Sequence, residues 1–214
     1  MIVVIQCAKS KHSDAGRLLT PDGQRVLFVA DPMEAPVHKG RAYAKPDDSC
    51  VEGVSWRAAL LSYNLDSISN PLGLCQAYRL YKNPIYSRLV ERLGLQNVYI
   101  LSAGWGLIAA SFLTPAYDIS YNAESYKRRR RSDLYQDFAM LPKGTAEAVV
   151  FFGGKAYVHL FSSLAGMVKS RRVVFYNAVD PPEAPGCELR RFHTNRKTNW
   201  HYECAEKFLD GTLF

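Results

Sequence analysis

Short segments that are apolar at almost every position recur along this chain, each followed by a polar or glycine-rich turn. The clearest are "MIVVIQ" (1–6), "NVYILS" (97–102), "AEAVVFFGG" (146–154) and "SRRVVFYN" (170–177). A strand with no polar face has both faces buried, which is typical of a parallel sheet covered by helices. The pattern predicts an α/β fold in three layers: a mostly parallel central sheet with helices on both faces.

Segments with helical spacing lie between these strands. Helices are predicted at 55–64, 71–81, 83–94, 123–141, 155–166 and 199–211. Further strands are predicted at 24–31 and 187–193, whereas residues 31–53 read as a long loop rich in proline, glycine and charge. The length is compatible with one α/β domain that spans residues 1–214.

Composition limits the classes of protein and of partner. Hydrophobic residues make up 48% of the chain, enough for a full core. The five cysteines are scattered and form no C-x-x-C pair, so neither a disulfide framework nor a zinc knuckle is indicated, and no metal or cofactor is predicted. The net charge of +7 favours anionic partners, of which nucleic acid is the commonest for a cytosolic domain.

The expected location is the cytoplasm. No apolar run approaches the roughly 18 to 20 residues of a membrane span, and the segment "MIVVIQCAKSK" has none of the regions of a signal peptide. It reads instead as a first β-strand. No membrane contact is expected, and the oligomeric state is left open.

The turn after the first strand carries candidate binding residues. It holds Cys7, Lys9, Ser10 and Lys11. Two lysines and a hydroxyl in a turn that leaves a parallel strand suit a phosphate or another anion. The alternative is a solvated basic loop, with Cys7 as a small buried apolar residue.

A second candidate turn, "SAGWGL", follows the strand at 97–102. Gly104 and Gly106 allow positive φ and close approach of the backbone to a ligand, and Ser102 ends the strand. Trp105 between the glycines is predicted to stack on a flat ring such as a nucleobase. The alternative is a tight turn whose tryptophan caps the core.

Asp118 is the predicted catalytic acid. It lies in "TPAYDISY", where Tyr117 precedes it and is predicted to flank the same pocket. A desolvated carboxylate acts as a base or stabilises a developing positive charge, such as that of a sugar oxocarbenium ion. The alternative is a helix cap or a salt-bridged structural acid.

Basic and amide side chains are predicted to contact nucleic acid. The backbone contacts are assigned to Lys127, Arg128, Arg129, Arg130, Arg131, Arg196 and Lys197. Asn64, Asn199 and Trp200 are predicted to contact the base, and His201 to donate a hydrogen bond to a departing base. The alternatives are solvated cations and a structural histidine.

Four motifs carry a resemblance to a bacterial family of small domains. They are "QCAKSK", "LYKNPIYSRL", "VYILSAGWGLI" and "PAYDISY". They resemble the family motifs C-S/A-K-S/T-K, L-S-A-x-W/Y/H-G-L and P-x-Y-D, in a family distantly similar to the YaaA-like peroxide-stress proteins. The resemblance covers about 1–11 and 78–121, and it implies that about 12–77 is an inserted elaboration.

Within the same neighbourhood the chain is similar to phage-defence DNA glycosylases, which excise modified bases from phage DNA. This resemblance implies a uracil-DNA-glycosylase-like fold, base flipping and hydrolysis of the N-glycosidic bond. The sequence contains neither the "GQDPY" nor the "HPSPLS" type of motif, so no catalytic residue is assigned through them.

The predicted function is therefore that of a DNA glycosylase without a cofactor, active in anti-phage defence, with DNA as its partner. Trp105 and Tyr117 would stack the base, and Asp118 would supply the charge. Two alternatives stay open: a nucleotide- or nucleoside-processing transferase or hydrolase, and a non-catalytic stress protein that binds nucleic acid.

Overall fold

The fold is that of a computed structural model, which describes residues 1–66, 69–121, 123–127 and 135–213. The strands of the large sheet are β1 (Ile2–Gln6), β7 (Val98–Ser102), β8 (Gly106–Ala109), β11 (Phe138–Ala139), β12 (Val149–Phe152), β13 (Arg172–Tyr176) and β14 (Glu188–Arg191). The remaining strands are β2 (Arg25–Val29), β3 (Arg41–Ala44), β4 (Ser49–Val51), β5 (Val54–Ser55), β6 (Cys75–Gln76), β9 (Leu113–Thr114) and β10 (Tyr117–Asp118). The helices are α1 (Trp56–Asp66), α2 (Ile85–Leu93), α3 (Lys155–Leu164) and α4 (Trp200–Leu209).

The large sheet has the order β11-β8-β7-β1-β12-β13-β14 within the described chain. Strands β7, β1, β12, β13 and β14 are mutually parallel, and β8 runs antiparallel to β7. The predicted α/β class with a mostly parallel sheet is confirmed. Every residue of β7 and of β12 is buried, in keeping with their continuous apolar sequences.

The order of the parallel strands creates a switch point beside β1. The chain passes from β1 through α2 to β7 on one side, and from β12 through α3 to β13 on the other. Right-handed crossovers in opposite directions place α2 and α3 on opposite faces of the sheet. In such sheets the crevice at the carboxyl ends of the strands, between β1 and β12, is where ligands bind.

The predicted helix at 71–81 is wrong, and the one predicted at 123–141 is wrong from residue 135 onward. Residues 71–81 form β6 and a 3₁₀ turn at Ala77–Arg79, because Ala77 N donates to the carbonyl of Phe112 and β6 pairs with β9. In 123–141, the described residues are helical only at 124–127, and Phe138–Ala139 pairs with β8 as strand β11. In both segments pairing with a distant strand outweighs helical spacing.

The predicted loop at 31–53 also contains strands. Strand β3 pairs with β2 in a small parallel sheet of order β10-β2-β3, so part of segment 12–77 pairs with β10, which lies beyond it. Val26 and Phe28 point inward and are buried in the same hydrophobic core as β1. Successive side chains alternate across a strand, so Arg25, Leu27 and Val29 share the outer face.

In the part of the chain that the structure describes, no helix has the length and apolar character that a membrane crossing requires. The longest helix given above, α1, has 11 residues, whereas a crossing takes about 20.

Candidate functional site

A buried polar cluster lies at the carboxyl ends of β1 and β7, beside the switch point. We call it the strand-end cluster, and its members are Cys7, Lys11, Tyr81, Ser102, Tyr117 and Tyr157. Cys7 follows β1, Ser102 ends β7, and Tyr157 lies in the first turn of α3. The structure therefore brings together four residues that the sequence predicted, namely Cys7, Lys11, Ser102 and Tyr117.

Hydrogen bonds connect the members of the cluster. Ser102 Oγ donates to Tyr117 Oη over 2.9 Å, and Tyr117 Oη lies 2.9 Å from Tyr81 Oη. Cys7 Sγ lies 3.3 Å from Tyr157 Oη and accepts from the backbone N of Ala103. Burial raises the pKa of the phenols of Tyr81, Tyr117 and Tyr157, so they stay neutral and act as hydrogen-bonding groups.

Lys11 lies over the rings of this cluster. Its Nζ is 4.1 Å from the centre of the Tyr117 ring and 5.9 Å from that of Tyr81, a cation–π arrangement. Burial lowers the pKa of Lys11, while Cys7 and Asp118 act in the opposite direction. Tyr117, which Lys11 contacts, directly precedes Asp118 in β10, so the strand-end cluster lies next to the surface where that carboxylate is exposed.

That surface holds a cavity of about 420 Å³, within the usual size range of small-molecule sites. We call it the small-sheet cavity because the outer face of β2, β3 and β10 forms its floor. The residues that line it are Lys9, Leu27, Val29, Ala30, Asp31, Glu34, Ala35, Pro36, His38, Arg41, Tyr43, Asp118, Ser120, Ala123 and Ser125. Lys9 and Asp118, which the sequence predicted as site residues, share this cavity.

Asp118 is exposed in the cavity, so the expectation that it would be desolvated is wrong. It pairs with Val29 at the end of β2, and this register directs its side chain outward, whereas the neighbouring Tyr117 is buried. A second carboxylate, Asp31, is buried and accepts from the backbone N of Met33 over 3.1 Å. Asp118 is thus accessible to a ligand and to water.

Trp105 does not offer a ring face at the mouth of a site. Its relative exposure is 0%, and its ring packs edge-on against Phe28 with centres 4.9 Å apart. The buried Arg57 guanidinium donates to the carbonyls of Gly104 and Trp105 and forms an ion pair with Asp47. The predicted stacking platform is therefore corrected to a core residue, held by contacts with the segment 12–77.

At the two glycines of this turn, other segments of the chain pack against the backbone where a ligand was expected. Gly106 has φ +84°, and a Cβ there would lie 2.6 Å from Asp137 Cβ. At Gly104 a Cβ would meet Ile119 Cδ1 at 3.2 Å. The turn reverses the chain from β7 into β8, and strand β11 lies against Gly106, so the predicted role in substrate binding is corrected.

Of the three residues predicted to contact the base, two make contacts within the fold and the third is exposed. Asn64 donates to the carbonyls of Leu60 and Leu113 and accepts from Leu113 N, so its amide ties α1 to β9. Trp200 is buried and stacks on Phe192. Asn199 is exposed with φ 57° before α4 and makes no side-chain cap. The assignment as base readers is corrected for Asn64 and Trp200.

His201 is buried in the described structure, with a relative exposure of 3% and no hydrogen-bond partner for Nε2. Burial lowers its pKa to about 4, so the imidazole is neutral near neutral pH. Its ring lies against Tyr202, with the ring centres 4.1 Å apart. The predicted role as a hydrogen-bond donor with a pKa near neutrality is therefore corrected to that of a neutral core residue.

The stability of the protein is expected to fall in acid because of His201. Its pKa is about 4 in the folded chain and near 6.5 when unfolded, so the unfolded state takes up the proton first. The free energy of unfolding is therefore unaffected by this proton above pH 6.5. It falls by about 3 kcal/mol as the pH is lowered toward 4. Denaturant unfolding of the parent and of His201→Phe between these pH values measures it.

The variant should show a smaller loss of unfolding free energy over the same pH range. The matched control is His193→Gln, since His193 is exposed and its replacement should leave the pH dependence unchanged. An equal loss in the parent and in His201→Phe would contradict the assignment.

The described members of the predicted backbone-contacting set lie in two separate places. Lys127 Nζ pairs with Glu124, and Lys127 lines a separate cavity of about 640 Å³ beside α3. Arg196 and Lys197 are exposed before α4, and Arg196 forms an ion pair with Glu203. Ser10, of the first turn, is exposed as well. The predicted phosphate contacts of Arg128, Arg129, Arg130 and Arg131 lie outside the described residues.

Sequence reasoning missed Arg41 and Tyr43, which line the small-sheet cavity from β3. The missed signal is alternation: in "RVLFV" and "RAYA", every second residue faces outward. The proline and glycine residues around "RAYA" concealed this period. Tyr81 and Tyr157 were missed because their role depends on the packing of distant segments.

No protein-family model, no curated protein and no solved structure matches this chain. Among the described residues, histidine, cysteine, aspartate and glutamate form no group of three that could hold a metal ion.

Proposed function

We propose that this protein hydrolyses the N-glycosidic bond of a nucleotide that is flipped out of DNA, with a modified base as the preferred substrate. The observation that carries the proposal is the position of Asp118, an exposed carboxylate in a cavity that also holds Tyr43, Lys9 and Arg41. The aromatic ring, the two cations and Asp118, one of three carboxylates in the lining, correspond to the base, the phosphates and the sugar of a nucleotide.

The chemistry assigns one role to each group. The C1′–N bond breaks, its electron pair leaves with the base, and the sugar becomes an oxocarbenium ion. The Asp118 carboxylate stabilises this charge and orients water, which adds to C1′ and gives its proton to the carboxylate. That proton then passes through solvent to the departed base anion, which restores the carboxylate. Tyr43 is available to stack on the base, since it is half-buried on the outer face of β3.

The strand-end cluster supports this site from below. Tyr117, which Ser102 and Tyr81 hold by hydrogen bonds, directly precedes Asp118 and fixes the end of β10. Lys11 Nζ lies 4.1 Å from the centre of the Tyr117 ring, and this cation–π contact also holds the ring in place. The cluster therefore fixes the position of the short strand that carries Asp118.

Two features support DNA as the substrate, and a third supports a uracil-DNA-glycosylase-like fold. The net charge of +7 favours a polyanion, and a flipped nucleotide needs an open concave site, as the small-sheet cavity is. A uracil-DNA-glycosylase-like fold is likewise our proposal. The doubly wound sheet, with the strand-end cluster at the carboxyl ends of β1 and β7, supports it.

The test is to incubate the protein with plain duplex DNA and with DNA from phages that carry modified bases, and to measure abasic sites. We expect abasic sites in the modified DNA, accompanied by release of the free base. Turnover of free nucleotides without abasic sites would favour a nucleotide-processing enzyme. Binding of DNA with neither product would leave a non-catalytic binding protein.

A further inference from the structure

Three arginines lie side by side on the outer face of the small sheet, at the end opposite Asp118. Arg25 of β2 and Arg41 of β3 are direct partners in the parallel register. Leu19 bridges to Arg25 on its other side, and Arg17, two residues earlier, faces the same way. Adjacent strands are about 4.8 Å apart, so this arrangement places like charges next to one another.

These arginines line a second cavity, of about 890 Å³, which we call the arginine cavity. Its lining also includes His38, Lys39 and the small residues Gly16, Gly23 and Gly40. Lys39 adds a fourth cation, and Asp14 is the one carboxylate among the described lining residues. The cavity is thus concave and strongly positive.

The charge of the arginines is not neutralised within the described chain. None of Arg17, Arg25 and Arg41 forms an ion pair with a described carboxylate. The Arg17 guanidinium donates to the carbonyls of Ala15 and Gly16, which fixes its position. Burial and then the charges of Arg41 and Arg25 lower the pKa of Arg17, a sign of mutual repulsion.

The arginine cavity adjoins the small-sheet cavity, since His38 and Arg41 line both. The outer face of one small sheet therefore carries positive charge at the amino ends of its strands and Asp118 at the carboxyl end. Opposed like charges in a sheet cost stability, and a bound anion removes that cost.

We propose that the arginine cavity binds phosphate groups of the same single strand whose nucleotide enters the small-sheet cavity. The inference rests on the proposed function for the occupant of the small-sheet cavity. Arginine forks match phosphate oxygens in pairs, and three neighbouring arginines suit successive phosphodiesters of a strand that crosses the sheet. Arg41, common to both cavities, contacts the phosphate next to the flipped nucleotide.

The test is the salt dependence of binding of a fluorescent single-stranded oligothymidylate to the full chain. Each lost phosphate contact lowers the slope of log affinity against log salt by about 0.7. We expect Arg25→Gln to lower the slope by about that amount and Arg25→Gln/Arg41→Gln by about twice as much. The affinity should fall on the order of tenfold for each arginine.

The matched control is Lys169→Gln, which removes one exposed charge near the amino end of β13. It should leave slope and affinity as in the parent. Without DNA, Arg25→Gln should raise Tm at low salt and lose this gain at high salt, which shows that the variant folds. A parent-like slope in Arg25→Gln would overturn the inference.

A second arm distinguishes a strand from a free nucleotide, with deoxythymidine triphosphate as the competitor. If Arg25→Gln weakens the triphosphate but keeps the parent slope for the oligonucleotide, the strand assignment is wrong. Abasic sites with a parent-like slope would overturn this inference and leave the proposed function intact. A reduced slope in Arg25→Gln without abasic sites in any DNA would support phosphate binding by the arginine cavity and overturn the proposed function.

Discussion

Replacement of Asp118 by asparagine is expected to lower the rate of abasic-site formation by on the order of 10²- to 10⁴-fold. The amide keeps the size and polarity of the side chain but loses the negative charge that, in the proposed mechanism, stabilises the oxocarbenium ion. Because Asp118 is exposed and ends the two-residue strand β10, its replacement should leave the fold unchanged. The rate is measured in single turnover on modified DNA.

The matched control is Asp210→Asn, since Asp210 is exposed at the end of α4 and makes no contact with the cavity. It should keep the parent rate, while Asp118→Asn keeps the affinity for DNA. A parent-like rate in Asp118→Asn would contradict the catalytic assignment. Equal loss of rate and of affinity would point instead to a role in binding alone.

The central sheet could be predicted from the sequence because its strands are buried on both faces. Segments such as "VVFF" of β12 have no polar position, and few structures other than a covered parallel strand fit that pattern. Strands of the small sheet were harder to find because they have only one buried face. β3 is four residues long and lies among prolines and glycines, so its alternation was missed.

Part of the strand-end cluster could be predicted because several of its residues lie at the ends of the predicted strands. Cys7 and Lys11 lie in the turn after β1, and Ser102 ends β7. The rule that the carboxyl ends of parallel strands meet at one edge brings them together. Trp105 also follows a strand, but its burial depends on Phe28 and Arg57, which come from segment 12–77. No local pattern indicates that this segment covers the turn, so the indole was expected at a surface.

Replacement of Trp105 by alanine is expected to lower the free energy of unfolding by about 3 to 5 kcal/mol. The indole is fully buried against Phe28, and its loss leaves a cavity beneath the Arg57 contacts.

Tyr43→Ala should behave in the opposite way, with nearly parent-like stability and an affinity for DNA about 5- to 150-fold lower. Denaturant unfolding and oligonucleotide binding separate the two variants.

The comparison distinguishes a core tryptophan from a stacking platform. If Trp105 were the platform, Trp105→Ala would lose affinity for DNA and keep stability, and Tyr43→Ala would keep affinity. Should Trp105→Ala fail to fold, Trp105→Phe retains an aromatic contact with Phe28 and allows the same measurements with a smaller loss. If Trp105→Phe kept the stability of the parent and lost affinity for DNA, Trp105 would instead be assigned to the DNA-binding site. The burial of Trp105 predicts instead reduced stability with unchanged affinity, and under the proposed function it leaves Tyr43 of β3 as the ring that would stack on the base.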